Sequence, residues 1–436
     1  MTGVAPTAPF APAAPESGLA IARAVHGLVD DQYGVVAHTP NLTRDAAREL
    51  CRAVSVGDPT VPVDDALSFL HIPAWGWVCT RYATERDSRG RLALVSDSVA
   101  VDAATFRALR GDPFRCMPRR GDMPTAGDGR EPRELATPRF SPSTPDAEAT
   151  RLAEMRRAVD EGRELRPLLA ALLAGDRVLY VSPNGPLAPA LLQCIVLLLP
   201  PSLRGLATFQ TAATRAPLHA PRLTAADRRY AELGAVAWTR ELPREAGVVD
   251  PRADAAADVL LALPAPALIA AHGVFEELAA EASSTSLLEG AERVVRYGTL
   301  VRALAAGDGA AALGALAPAA GAPDARETAA LVPRVLDVLS PTALADAFAA
   351  LLAERAAHGY RAARVLLDDL LRRDAADGSL DGSLDALLRA ADGTRWTNDE
   401  SARALRGTLA VIAARRGDGD RLVQLADADG PWPDVP

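Results

Sequence analysis

The residues with most chemical potential in this 436-residue chain are four cysteines, six histidines and a group of arginines and aspartates between positions 75 and 101. Cys79 with a histidine would make a thiol nucleophile, but such a thiol needs a sharp turn or helix N-terminus to activate it. The sequence around Cys79 supplies neither. His26 and His38 stand in or beside two strand-like segments and are placed to face each other, as a catalytic base or as satisfied core histidines. Ser96 and Ser98 flank Asp97 without the Gly-x-Ser-x-Gly elbow of a hydrolase.

Metal chemistry has no better footing in the spacing. No histidine lies in HExxH or any other two-His ligand pattern. Cys51, Cys79, Cys116 and Cys194 form no CxxC pair, so they read as reduced core thiols rather than zinc or thioredoxin-like ligands. The segment DGSLDGSLD, Asp377 to Asp385, spaces three carboxylates four apart, whereas a calcium loop needs tighter alternation and a distal Glu. A loop with a helix-capping Asp is the expected outcome.

All 47 basic residues are arginine. A P-loop uses lysine to reach the β- and γ-phosphates, so Walker-type NTP hydrolysis is excluded, together with lysine Schiff-base chemistry. No catalytic, cofactor-binding or metal-binding residue is assigned. The densest polar group is Arg81, Asp87, Arg91 and Asp97, with Trp77 and Tyr82 beside it. Arginine forks next to aromatics on a hairpin suit a protein-recognition surface, the alternative being a solvated set of ion pairs.

The elements that must position these residues follow from periodicity. Ala20–Val29 and Tyr33–Thr39 read as strands around the turn Asp30-Asp31-Gln32, and Thr43–Val54 has helical spacing. Trp75–Ala83 and Leu92–Val101 read as a strand pair; Ala93, Val95, Val99 and Val101 share one face at period two. Asp102 is placed to cap a short helix running through Leu109. Positions 112–146 lose all periodicity and mark a linker or long loop. Beyond it come a helical stretch over Ala147–Leu173, a short strand at Arg177–Val181 and a buried helix over Pro186–Leu199. Further strands are expected at Leu206–Thr211 and Gly234–Trp238. After about residue 265 only helical patterns remain, with capping boxes Ser286…Glu289 and Thr397…Glu400.

The resulting expectation is an α+β chain: mixed α/β N-terminal and middle domains followed by an all-helical C-terminal region. The boundaries are a Pro/Ala leader at 1–18, an N-terminal domain at 19–115, a linker at 116–146, a middle domain at 147–264 and helices at 265–436. Residues 251–436 hold 18 Arg against 27 acids and so carry the whole net charge of −9, which argues against nucleic-acid binding. No signal-peptide pattern or membrane-length apolar run is present, so a cytoplasmic protein is expected.

The segments AVHGLVDDQYGVVAHTPNLTRD and GWVCTRYATERDSRGRLALVSDSVAVD resemble the N-terminal domain of bacterial GTPase-associated proteins, which belong to predicted NTP-dependent conflict systems. Asp87, Gly90 and Arg91 fit that family's D-x-x-G-R turn. LPPSLRGLATFQT resembles its middle domain, through Pro200, Leu203, Arg204, Phe209 and Thr211. Ser96 and Ser98 stand where the family more often has a histidine or aromatic. The resemblance implies a non-enzymatic adaptor or regulatory subunit that docks a GTPase or other NTPase and uses no cofactor. A helical scaffold and an unrecognised hydrolase are the alternatives.

Overall fold

The computed structural model describes residues 21–29, 32–54, 65–86, 89–123, 131–159, 164–182, 187–212, 221–227, 240–242, 250–279, 286–316, 325–353, 355–377, 381–397 and 399–427. The expected leader at 1–18, the strand expected at Gly234–Trp238 and Asp87 lie outside these residues. The chain forms two compact units: Met1–His272 with Ala282–Glu292, and Gly273–Glu281 with Arg293–Pro436. The α+β expectation holds, with strands toward the N-terminus and helices toward the C-terminus.

The first unit is built on one mixed sheet. Its strands are β1 (Ile21–Val29), β2 (Gln32–His38), β3 (Ala66–Ile72), β4 (Gly76–Arg86), β5 (Leu92–Val101), β6 (Arg133–Glu134), β7 (Val178–Ser182), β8 (Phe209–Gln210), β9 (Leu223–Asp227) and β10 (Arg240–Leu242). They lie in the order β10-β7-β9-β8-β3-β4-β5-β1-β2-β6. β3, β4, β5, β1 and β2 run antiparallel, while β8, β9, β7 and β10 pair in parallel. Pairing of β8 with β3 joins the segments expected as N-terminal and middle domains into a single sheet. Thr211 secures that junction twice: its N–H donates to the Leu67 carbonyl at 2.8 Å, and its Oγ1 accepts from the Leu67 N–H at 2.7 Å.

Helix α1 (Arg44–Ala53) begins where Thr43 accepts a hydrogen bond from the Ala46 N–H. It lays Ala47, Leu50 and Cys51 on the sheet face formed by Ala22, Ala24, Leu70, Ile72, Val78 and Ala100. Helix α2 (Ala103–Ala108) is capped by Asp102 as expected. The aperiodic stretch after it carries two 3₁₀ turns, Pro113–Arg115 and Arg120–Asp122, before α3 (Pro145–Ala158) starts. α4 (Arg166–Leu173), the almost wholly buried α5 (Pro189–Leu198) and α6 (Pro251–Ala262) follow, α3 packing on α5 and α4 on α6.

Only helices are described beyond that point: α7 (Ala265–Ala279), α8 (Leu287–Ala306), α9 (Gly309–Leu316), α10 (Ala325–Val338), α11 (Pro341–Ala353), α12 (Ala357–Asp377), α13 (Asp381–Ala390), α14 (Glu400–Arg415) and α15 (Gly419–Asp427). In the second unit α11 packs between α9 and α13, and α14 packs on α12 and α15. Leu344, Phe348, Leu351 and Leu352 of α11 are all buried, as are Leu405, Leu409 and Ile412 of α14. The Ser286…Glu289 box forms both of its hydrogen bonds. The box expected at Thr397…Glu400 is corrected: Asp399 caps α14 by accepting from the Ala402 N–H, and Thr397 donates to Asp399. Asp399 itself occupies the N-cap position, immediately before the first helical residue, so its carboxylate and not the Thr397 hydroxyl meets the free N–H of the first turn. Among the described residues no single helix is long and apolar enough to cross a membrane; one bent pair, Ala330–Val338 with Pro341–Ala353, passes by composition.

Candidate functional site

Successive residues of a strand point to opposite sheet faces, and this divides the expected recognition cluster. Register puts Arg81 opposite Asp97 and Asp97 opposite Val25, so Arg23, Cys79, Arg81 and Asp97 share one face. Arg23 grips Asp97 with two bonds, Nε to Oδ1 at 3.0 Å and Nη2 to Oδ2 at 2.6 Å, and reaches the Asp122 carbonyl at 2.9 Å. Arg81 donates to the Pro118 carbonyl at 2.6 Å and pairs with Asp65. The Asp97 side chain has no exposure. Burial raises its carboxyl above the ordinary value, and Arg23 pulls it back down; the same hydrogen bond raises the Arg23 guanidinium.

Tyr82 lies on the other face, fully buried. Its hydroxyl donates to the Val54 carbonyl at 2.5 Å and lies 3.0 Å from Ser68 Oγ, and burial pushes the phenol strongly upward. Thr80 Oγ1 donates to Ser98 Oγ at 3.0 Å on that same face. Trp77 is stacked with Phe106 at 4.8 Å and Phe69 at 5.5 Å between ring centroids. A Cβ on Gly205 would come within 2.5 Å of its ring, so the ring rests on glycine backbone. Of the six residues proposed as a recognition surface, Arg91 is exposed beside the β4–β5 hairpin, whereas Asp97 and Tyr82 are enclosed on opposite faces. The expectation of one exposed patch formed by Arg81, Asp87, Arg91, Asp97, Trp77 and Tyr82 is therefore corrected for two of its members: Asp97 is buried on the face it shares with Arg81 and Trp77, and alternation turns Tyr82 to the opposite face, where it is buried too.

The other candidates are also drawn into the architecture. Cys79 is fully buried and its thiol is pushed well above the ordinary value by burial, the opposite of an activated nucleophile. His26 registers opposite Val35 and His38 opposite Ala24, so the two histidines are not cross-strand partners. His26 stacks on Tyr33, with centroids 5.7 Å apart. Among the described residues no group of three or more His, Cys, Asp or Glu has a metal-binding arrangement.

Sequence reasoning did not anticipate the most buried ionic network. Arg204, with no side-chain exposure, donates Nη1 to Glu148 Oε1 at 2.9 Å, Nη1 to the Arg110 carbonyl at 2.7 Å and Nε to the Leu199 carbonyl at 2.9 Å. Arg110 Nε lies 3.0 Å from Glu148 Oε2, giving an Arg–Glu–Arg triad. Beside it Asp112, also unexposed, pairs with Arg151 at 2.8 Å and accepts from the Phe114 N–H at 2.9 Å. Burial raises the Asp112 carboxyl, against the pull of Arg204 and Arg151. Arg110 (φ 53) and Asp65 (φ 58) are two of the three non-glycine residues with left-handed backbone among those described. Both belong to these ionic clusters, so the pairing holds a conformation that costs about 1–3 kcal/mol per residue. Gly111 (φ +68) continues the reversal where a Cβ would meet the Pro201 carbonyl at 2.4 Å. His272 is wholly buried near the triad, with Nε2 3.3 Å from the Leu198 carbonyl; burial first, then Arg204, holds its pKa well below the usual value.

The second unit has a pocket of about 290 Å³, lined by residues that include Leu388, Thr394, Trp396 and Leu425. Its arginine, Arg421, is already bidentate on Asp392 at 2.9 and 2.8 Å. No protein-family model, curated protein or solved structure matches this chain.

Proposed function

We propose that the chain is a non-enzymatic adaptor or regulatory subunit that docks a GTPase or other NTPase in a bacterial conflict (anti-phage immunity) system. One observation carries this reading. The side chains with most chemical potential, Cys79, Asp97, Ser98 and Tyr82, are enclosed within the sheet unit, and Asp97, Ser98 and Tyr82 are tied by hydrogen bonds inside it. The all-arginine composition, which excludes a P-loop lysine, supports the same reading. The likeness of the two N-terminal segments and LPPSLRGLATFQT to GTPase-associated proteins supplies the partner class. In that likeness Arg204 and Thr211 serve as framework, one in the buried triad and the other at the β8–β3 junction.

The test is co-purification. The tagged chain, co-expressed with a GTPase or other NTPase of the proposed class, is expected to elute with that partner as one complex on size exclusion. Separate elution at micromolar concentrations, with and without nucleotide, would overturn the proposal. The helix-on-helix construction of the second unit favours a scaffold as second reading; it predicts higher-order assembly of the chain without any NTPase.

A further inference from the structure

The cavity of about 290 Å³ in the second unit takes no part in the proposed function. The end of α13, the turn after it and the start of α15 build its wall. Leu388, Ala391 and Leu425 are buried and supply apolar lining, and Trp396 adds an aromatic ring. Tyr360 of α12, fully buried, packs on that ring with centroids 5.9 Å apart and so fixes it. Asp392 and Gln424, both exposed, and the half-buried Thr394 supply the polar groups.

Electrostatics choose the sign of the occupant. Arg421 is the cation of the lining, and all three of its nitrogens donate to carboxylates: Nε and Nη2 to Asp392, and Nη1 to Asp418 at 3.0 Å. Two carboxylates against one guanidinium leave a negative charge in excess. Asp418 also caps α15, accepting from the Arg421 N–H at 3.2 Å. Each Asp392 oxygen accepts from Arg421 and keeps a lone pair for another donor. Helix α13 ends here as well: the Ala391 N–H donates to the Leu387 carbonyl at 3.1 Å, and Gly393 (φ +74) turns the chain away. The C-terminal end of a helix carries about half a negative charge. Arg389 and Arg395, the neighbouring cations, are exposed and lie outside the lining. An anion entering the cavity finds its one guanidinium engaged; a cation finds a carboxylate with room to accept.

We propose that this cavity binds an organic cation, a guanidinium or primary ammonium head on a short hydrocarbon stem. The head donates to Asp392 and lies against Trp396, whose ring quadrupole attracts positive charge. The stem covers Leu388, Ala391 and Leu425, as the stems of basic side chains cover apolar surface elsewhere. The volume stands at the small end of the range for ligand sites and suits one such group.

The purified full chain is titrated calorimetrically with butylguanidinium, bare guanidinium and butyrate. In parallel the Trp396 indole N–H resonance, assigned by its loss in Trp396→Phe, is followed by NMR. Butylguanidinium is expected to bind and to shift that resonance. Bare guanidinium, lacking the stem, binds about tenfold more weakly or worse, and butyrate does not bind. Asp392→Asn, an exposed change that keeps the fold, weakens butylguanidinium about tenfold, and Trp396→Leu about 3- to 30-fold. Arg389→Ala leaves the affinity unchanged. Acetyl-arginine amide bound as tightly as butylguanidinium assigns the site to a basic side chain of a protein; binding of butylguanidinium without it assigns the site to a free cation. Absence of heat and of an indole shift with millimolar butylguanidinium, equal or tighter binding of butyrate or bare guanidinium, or full affinity in Asp392→Asn would each overturn the proposal.

Discussion

The two units differ in how much paired charge they bury. The sheet unit encloses it: Asp97, Asp112, Glu148 and Arg204 have side-chain exposures of 0%, 0%, 1% and 0%. In the helical unit several described ion pairs lie near solvent, as in Arg421–Asp392, where the aspartate is 46% exposed, and Arg364–Asp368, where both partners are about half exposed; Asp369, paired with Arg372 and Arg373, is its buried exception. An enclosed pair that loses one member leaves an uncompensated charge in a low-dielectric interior; an exposed pair leaves a charge in water. The sheet unit is therefore rigidly specified and intolerant of substitution at its polar positions. The helical unit draws its stability from alanine and leucine packing and is free to vary its surface.

Arg204→Ala breaks this contrast most severely. It leaves the buried Glu148 with Arg110 as its one remaining partner in the triad and frees the Arg110 carbonyl, and the expected cost is about 3–5 kcal/mol of unfolding free energy, measured by urea titration. Gly205→Ala comes next, since its Cβ would enter the Trp77 ring, with an expected loss of about 1–3 kcal/mol. Both variants retain partner docking if they fold, because neither side chain reaches the surface.

A third test uses acid. The folded pKa of His272 lies below the unfolded value of 6.5, so below that pH the unfolded chain binds the proton and the folded chain does not. This group's contribution to stability is level above about pH 7.5 and falls by about 1 kcal/mol between pH 6.5 and 5.5, steepening toward about 1.4 kcal/mol per unit below that. His26, lowered by burial and by Arg52, adds in the same direction. His272→Gln should flatten the profile in urea titrations across that window. The smallest effect belongs to the helical unit: Asp392→Asn should cost under about 1 kcal/mol, and less in high salt.

Legibility followed the length and regularity of each element. β5 emerges with the bounds expected from its alternation, and Asp102 caps α2 as expected, because local spacing alone determines them. β3 escaped notice. ALSFLHI is apolar with almost no polar alternation, and a strand buried on both faces cannot be told from a short buried helix by period. The expected strand at Leu206–Thr211 shrinks to Phe209–Gln210, because Pro201–Leu206 winds into a 3₁₀ turn that carries Arg204 to Glu148. The ionic network could not be read at all. Arg23 meets Asp97 across 74 positions and Arg204 meets Glu148 across 56, and no local pattern encodes such partners. One signal in the hairpin was available: adjacent Arg81 and Tyr82 must diverge on a strand, which already forbids a common surface.

The most direct test of the claim that these enclosed charges are architectural is a double-mutant cycle on Glu148 and Arg204. Glu148→Leu and Arg204→Met are compared singly and together by urea unfolding. Each single change should cost several kcal/mol and the pair far less than their sum, a coupling above about 2 kcal/mol. Additive losses, or an Arg204→Met variant as stable as the parent chain, would contradict it.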